Sequence, residues 1–198
     1  MIFKINDDIA RLIRLQRTWA KKLDTDQIGL EYWKSCQRDY EQVKRVITPG
    51  DSILDIGCGL AGADLIIKRN VPNVDIVLFD LDRVDAAVKY GYSREPSAYN
   101  TRQAVEEFYQ LNGADAPIYV SEYPAAMQFD VIMSLISYGF HYPVETYLDQ
   151  VMATLRPGGR LVLDIRKDSG QVKLLRQFFP NVALIDETKS YSRMAFTR

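Results

Sequence analysis

The sequence predicts an α/β fold built on a parallel, nucleotide-binding sheet. Three observations carry that prediction. A short apolar run over 53–56 stops in three spaced glycines, Gly57, Gly59 and Gly62, and a helical pattern with Leu65, Ile66 and Ile67 follows. Strand, glycine turn and helix form the first unit of such folds. A second apolar run, 76–79, ends in an acid, Asp80. A third, 129–134, leads through a helical pattern and Arg156-Pro157-Gly158-Gly159-Arg160 into another apolar run, 161–165. Continuous apolar strands are what a parallel sheet covered on both faces requires.

Composition narrows the function classes. The chain has 198 residues and a formal net charge of −1, with a pI near 5.9. One domain is the expectation at this length, and no basic field points to nucleic acid. The apolar runs are strand-length, far short of the roughly 20 residues a membrane span needs. Residues 1–10 contain Lys4, Asp7 and Asp8 and no signal-peptide core. Two cysteines, Cys36 and Cys58, fall on separate elements, which argues against a disulfide scaffold or a cysteine metal site. A cytoplasmic protein without membrane contact or metal is the expectation.

Taken in order, residues 1–48 predict a helical cap. Ile9, Leu12, Ile13, Gln16, Trp19, Ala20 and Leu23 recur at helical spacing, with Arg11, Arg14, Arg17, Lys21 and Lys22 mostly off that face. Asp24-Thr25-Asp26 and Gly29 are expected to break the helix. A second helix then carries Leu30, Trp33, Cys36 or Gln37, Tyr40, Val43 and Ile47. This pair packs on the sheet edge or covers the site, in which case Tyr32 or Trp33 touches substrate or cofactor. Thr48-Pro49-Gly50-Asp51 is the turn that delivers the first strand.

In the glycine turn, Gly57 allows a positive φ as the chain leaves the strand. Gly59 keeps a side chain from between backbone and ligand, and Gly62 is expected to let the helix lie close to the strand. Asp80 stands where this fold addresses ribose hydroxyls. Asp82-Arg83-Val84-Asp85 resembles a capping sequence, with Asp82 at a helix N-cap. A tyrosine-rich loop covers 90–101. A helix over 102–111 closes at Asn112-Gly113, and a short strand covers 118–120. After the strand over 129–134, a helix carries Val144, Tyr147, Leu148, Val151, Met152 and Leu155. Residues 156–160 form a tight turn into 161–165. One more helix bears Val172, Leu175, Phe178 and Phe179, and strands over 182–185 and 191–197 follow.

The three glycines also spell the dinucleotide fingerprint, which makes NAD the rival ligand. Asp55, two residues before Gly57, favours a ligand with an ammonium group, which S-adenosylmethionine carries and NAD lacks. The stretch from Leu54-Asp55-Ile56-Gly57-Cys58-Gly59 to Gly62 resembles motif I of the class I S-adenosylmethionine-dependent methyltransferases. Phe129-Asp130-Val131-Ile132 and Leu155-Arg156-Pro157-Gly158-Gly159-Arg160-Leu161-Val162 resemble that family's second half, so the likeness covers roughly 50–165. It implies a Rossmann-like fold with a seven-stranded, mostly parallel sheet, helices on both faces and a C-terminal antiparallel hairpin within 166–198.

The resemblance also implies S-adenosylmethionine as cofactor, held by Asp55, Gly57, Cys58, Gly59, Gly62, Asp80, Leu81 and Ser134. Ser121-Glu122 would address the adenine, although most members place Asp there. His141, the single histidine, follows the strand over 129–134, where the fold places its acceptor. With an ordinary pKa near 6.5 it suits a base for a hydroxyl, and the bland reading is a brace for the next helix. Tyr138, Tyr142 and Trp33 are the candidate acceptor contacts. Ser134-Leu135-Ile136-Ser137 stands where many base-methylating enzymes carry Asn/Asp-Pro-Pro-Tyr, and no Pro-Cys offers a nucleophile for cytosine. These features favour O-methylation of a small molecule, such as a sugar or another metabolite, over nucleic acid. The alternatives are RNA or protein methylation, with the basic side of 11–22 as docking surface, and a non-catalytic cofactor-binding or partner protein. The sequence leaves the oligomeric state open.

Overall fold

The computed structural model describes residues 2–85, 91–93 and 97–198. Helix α1 spans Asp7–Gln16, with the Asn6 side chain accepting the Ile9 N–H and Asp7 and Asp8 in the first turn, where carboxylates suit the helix dipole. A 3-10 turn, Thr18–Lys22, follows. Helix α2 spans Thr25–Val43 and starts with a reciprocal capping box between Asp24 and Gln27. Gly29 lies inside α2 and does not break it. A Cβ there would come within 2.6 Å of the Phe3 carbonyl, so the glycine makes room for the N-terminal segment.

Strand β1 is Ser52–Ile56, helix α3 Gly62–Asn70 and strand β2 Asp75–Phe79. Two short strands, β3 (Arg83–Val84) and β4 (Tyr99–Asn100), pair antiparallel. The helix expected directly after Asp82 is therefore replaced at 83–84 by a strand, and residues 86–90 lie outside those described. Asp82 instead accepts the backbone N–H of Arg102, the first residue of helix α4, Arg102–Leu111. It assists at a helix N-terminus, but a different one. Strands β5 (Ile118–Val120) and β6 (Phe129–Ser134) come next, then a 3-10 turn at Val144–Thr146, helix α5 (Leu148–Thr154) and strand β7 (Leu155–Arg166). Leu155 thus opens a strand and does not close a helix. The 156–160 turn is an interruption of β7: Phe129 pairs with Leu155 and Val131 with Arg160. Helix α6 (Gln171–Leu175) and strands β8 (Asn181–Glu187) and β9 (Tyr191–Thr197) complete the chain.

The main sheet runs β5-β2-β1-β6-β7-β9-β8. The pairings from β5 to β7 are parallel, and β9 is antiparallel to both β7 and β8. This is the seven-stranded, mostly parallel sheet with a C-terminal antiparallel pair. Alternation along each strand divides the core. Ile53, Val131 and Met133 face the layer of α1 to α4, while Leu54, Ile56 and Ile132 face α5 and α6. Among the described residues, no helix is long and apolar enough to cross a membrane.

A buried ion pair locks this arrangement. Arg193 on β9 is fully buried and reaches its cross-strand partner Asp164 on β7 twice, Nε to Oδ1 at 2.7 Å and Nη2 to Oδ2 at 2.8 Å. Its Nη1 donates to Asp39 of α2 at 2.9 Å and to Gln42. Replacing one member of such a pair strands a buried charge, at a cost of about 3–5 kcal/mol. We predict that Arg193→Met lowers the melting temperature by roughly 6–20 °C, at about 2–4 °C per kcal/mol for a chain of this size. The double variant Asp164→Leu/Arg193→Met should recover part of that loss, because both charges leave together. Thermal melts of the three proteins check this, and a single variant melting within 2 °C of wild type refutes it.

Candidate cofactor and active site

The carboxyl ends of β1, β2 and β6 meet where open α/β sheets bind ligands. Two adjoining cavities open there, of about 30 Å³ and about 90 Å³. Gly57, Asp80, Tyr99, Ser137 and His141 wall both. The smaller continues toward Phe79, Leu81, Tyr142 and Tyr147. The larger continues toward Gln16, Arg17, Tyr32, Cys58, Gly59 and Leu60.

The glycine turn is fixed from two sides. Gly57 has φ +72°, and its N–H donates to the Phe79 carbonyl at 2.7 Å. A Cβ on Gly57 would lie 1.9 Å from Ser137 Oγ, so only glycine lets the turn after β6 pack here. Gly59 donates its N–H to Asp80 Oδ2 at 2.9 Å, while Asp80 Oδ1 accepts the Leu81 N–H at 2.8 Å. Asp80 is therefore held across the mouth of the turn, and burial raises its pKa despite these two donors. From the other side, the Asn100 amide donates to the Gly59 carbonyl.

Several expected contacts lie elsewhere. Asp55 is on the α3 side of β1, as strand alternation requires, and lines neither cavity. Its Oδ1 and both oxygens of Asp64 in α3 are buried with no hydrogen-bond donor, and the two carboxyls lie close enough to act on each other. Burial raises both pKa values, Asp64 to about 6 even though its interaction with Asp55 lowers it, and repulsion from Asp64 adds to the rise at Asp55. Gly62 faces α2 and not the strand: a Cβ there would lie 2.6 Å from Cys36 Sγ and 2.9 Å from the Tyr32 ring.

Ser134 is fully buried. Its Oγ donates to the Ile56 carbonyl and accepts the Tyr138 N–H, so it joins β6 to β1 beneath the site. Tyr138 is core, its hydroxyl donating to the Val144 carbonyl at 2.6 Å. Ser121 and Glu122 are exposed and line neither cavity. Trp33 packs against the core on the α1–α4 side, whereas its neighbour Tyr32 reaches the larger cavity.

His141 does stand in the cavity wall. Its Nδ1 is 3.1 Å from the Gly91 carbonyl. A carbonyl only accepts, so Nδ1 carries the hydrogen and Nε2 keeps a lone pair. The Ser93 N–H donates to the His141 carbonyl at 2.8 Å. Burial is the main cause of a lowered imidazole pKa, which leaves the ring neutral at pH 7. Tyr142 hydroxyl and Ser137 Oγ are 3.3 Å apart nearby. Among the described residues, no three His, Cys, Asp or Glu side chains converge as a metal site.

Gln16, Arg17, Ser137, Tyr99, Asn100 and Tyr147 are the cavity and loop residues that sequence patterns did not mark. Arg17 had the character of an outer, solvated cation, and only its place at the last turn of α1 hints otherwise.

No protein-family model matches the chain, and no curated protein matches its sequence. Solved structures do resemble it. Magnesium protoporphyrin IX methyltransferase from Synechocystis PCC 6803, with bound S-adenosylmethionine, is 13% identical over 98% of each chain, with a TM-score of 0.59. A methyltransferase from Pyrococcus furiosus is 18% identical over 97% of this chain and 98% of that one, with a TM-score of 0.54. A 16S rRNA methyltransferase from T. thermophilus, in complex with S-adenosylmethionine and guanosine, is 16% identical over 90% of this chain and 44% of that one, with a TM-score of 0.56. At such identities the likeness is one of architecture: the chain has the Rossmann-like fold of the methyltransferases.

Proposed function

We propose that the protein is an S-adenosylmethionine-dependent methyltransferase that methylates an oxygen of a small molecule. The observation that carries this reading is a single cavity walled by Asp80, the glycine turn and His141. Each oxygen of Asp80 spends one acceptor site on a backbone N–H and keeps another for ribose hydroxyls. When bound, the cofactor supplies an electrophilic methyl group on sulfur. His141 Nε2 would take the acceptor's hydroxyl proton, while Tyr142 and Ser137 orient that hydroxyl.

Ligand pockets usually span about 300–1,000 Å³, more than the 30 and 90 Å³ cavities here. Cofactor entry therefore calls for 97–100 to shift off the glycine turn, where Asn100 holds the Gly59 carbonyl, or for 91–93 to shift off His141. The enclosed site and mildly acidic chain support a small acceptor. RNA docking on 11–22 loses support, because Arg14 donates to the Leu23 carbonyl and Arg17 turns into the cavity.

Calorimetry with S-adenosylhomocysteine tests the cofactor. Asp80→Asn should weaken it about 10- to 100-fold, the worth of one charge-assisted hydrogen bond or slightly more. Asp82→Ala, which disturbs α4 instead, should leave affinity within twofold. No binding to the wild type sinks the reading; equal losses in the two variants sink the role of Asp80.

A screen for transfer of labelled methyl, fractionated into small molecules, RNA and protein, identifies the acceptor. With it in hand, kcat/KM should rise with pH through a group below 6.5, since the neutral ring is the base and burial favours that form. His141→Asn should bind cofactor normally, lose that limb and slow about 10²–10⁴-fold. The same shift has a stability consequence. The unfolded chain takes up the histidine proton first, so stability falls as pH drops from 6.5 toward the lower folded pKa. A near-normal rate in the variant would reduce His141 to a brace.

A further inference from the structure

We propose that Arg17, with the Gln16 amide beside it, is a carboxylate-binding subsite of the larger cavity. This rests on the methyltransferase reading above and extends it to the charge of what is bound. Helix α1 ends at Arg17, where the backbone turns extended (φ −125°, ψ 114°), and the side chain enters the cavity wall. Arg17 Nε and Gln16 Nε2 are both buried with no hydrogen-bond partner. The other half-buried or buried arginines have theirs: Arg14 on the Leu23 carbonyl, Arg156 on Asp130, Arg160 on Asp51, Arg166 on the Phe140 carbonyl, Arg193 on Asp164. Among the described residues, Arg17 makes no ion pair. Buried donors without partners are rare and call for an explanation.

Tyr32, Cys36 and His141 all feel the Arg17 charge. Burial keeps the Tyr32 phenol and the Cys36 thiol protonated, far above neutral pH, so neither supplies the missing anion. A guanidinium presents parallel N–H groups that match a carboxylate, and the Gln16 amide, 3.9 Å from a Cβ built on Gly59, adds another donor. Asp80 walls the same cavity, which favours a monoanion over doubly charged phosphate. The carboxylate has two sources: the amino-acid end of the cofactor, or an acceptor that is itself a carboxylic acid.

Calorimetry on wild type, Arg17→Gln and Arg17→Lys separates them. S-adenosylhomocysteine carries the amino-acid end, and 5′-methylthioadenosine lacks it. If the cofactor is the source, Arg17→Gln weakens S-adenosylhomocysteine about 10- to 100-fold and 5′-methylthioadenosine less than twofold. Arg17→Lys, which keeps the charge without the fork, falls between. If the acceptor is the source, the nucleoside affinities stay level, and acetate or propionate raises the melting temperature of the wild type saturably but not that of Arg17→Gln. Either result supports the subsite. A variant that merely melts lower, with the ratio of the two nucleosides and the carboxylate response both unchanged, overturns it. So does stabilisation through Arg17 by inorganic phosphate alone. Should neither nucleoside bind the wild type, the methyltransferase reading fails, and the carboxylate titration still decides the subsite.

Discussion

The candidate site depends on the Arg193–Asp164 pair, although neither residue lines its cavities. A buried ion pair adds little net stability over an apolar substitute; what this one adds is geometry. Asp164 Oδ2 accepts from Arg193 and also from the backbone N–H of Ile136 at 3.0 Å. Ile136 has φ +56°, an uncommon conformation for a β-branched residue. The turn after β6 is thus held in a strained shape by a carboxylate that Arg193 keeps charged and in place. That turn carries Ser137 onto Gly57 and His141 into the cavity wall.

The same arginine reaches the opposite layer. Asp39 and Gln42 tie α2 to β9, and the Gln42 amide also donates to Asp186 on β8. Once α2 is anchored at that end, its middle meets α3, where Gly62 leaves room for Cys36 and Tyr32. Tyr109 of α4 donates to the Ala61 carbonyl from the same layer, next to a left-handed Ala61 (φ 54°). The glycine turn is therefore shaped by helices as much as by the sheet. That packing brings the end of α1, with Gln16 and Arg17, against Gly59.

Periodicity and turn chemistry made the sheet legible. The apolar runs at 53–56, 76–79, 129–134 and 161–165 each became a strand, because each is buried on both faces. Gly57 and Asp80 were legible for the same reason: they sit at strand ends, where local sequence fixes position. Tyr138 and Ser134 were not, because a residue next to a site and a residue beneath it have the same composition signal. Gly29 failed as a helix breaker because the close approach of Phe3 is a tertiary fact, which outweighs a propensity cost of about 1 kcal/mol. Asp82 carried a true capping signal, yet the helix it assists begins 20 residues later. Arg17 was hidden most deeply. Helical spacing says which face a residue occupies, but Arg17 stands where α1 stops, and spacing no longer applies.

His141 shows how position and chemistry are joined in this fold. A lone imidazole can carry its neutral hydrogen on either nitrogen, and only the Nδ1–H form leaves the lone pair on Nε2. The Gly91 carbonyl makes that choice by accepting from Nδ1, and the Ser93 N–H fixes the backbone of the same residue. Both contacts come from the stretch 91–93, part of which also walls the smaller cavity. The contact that braces the ring is therefore also the one that fixes its tautomer, so a bracing role for His141 and the proposed role as base rest on the same geometry and need not exclude each other.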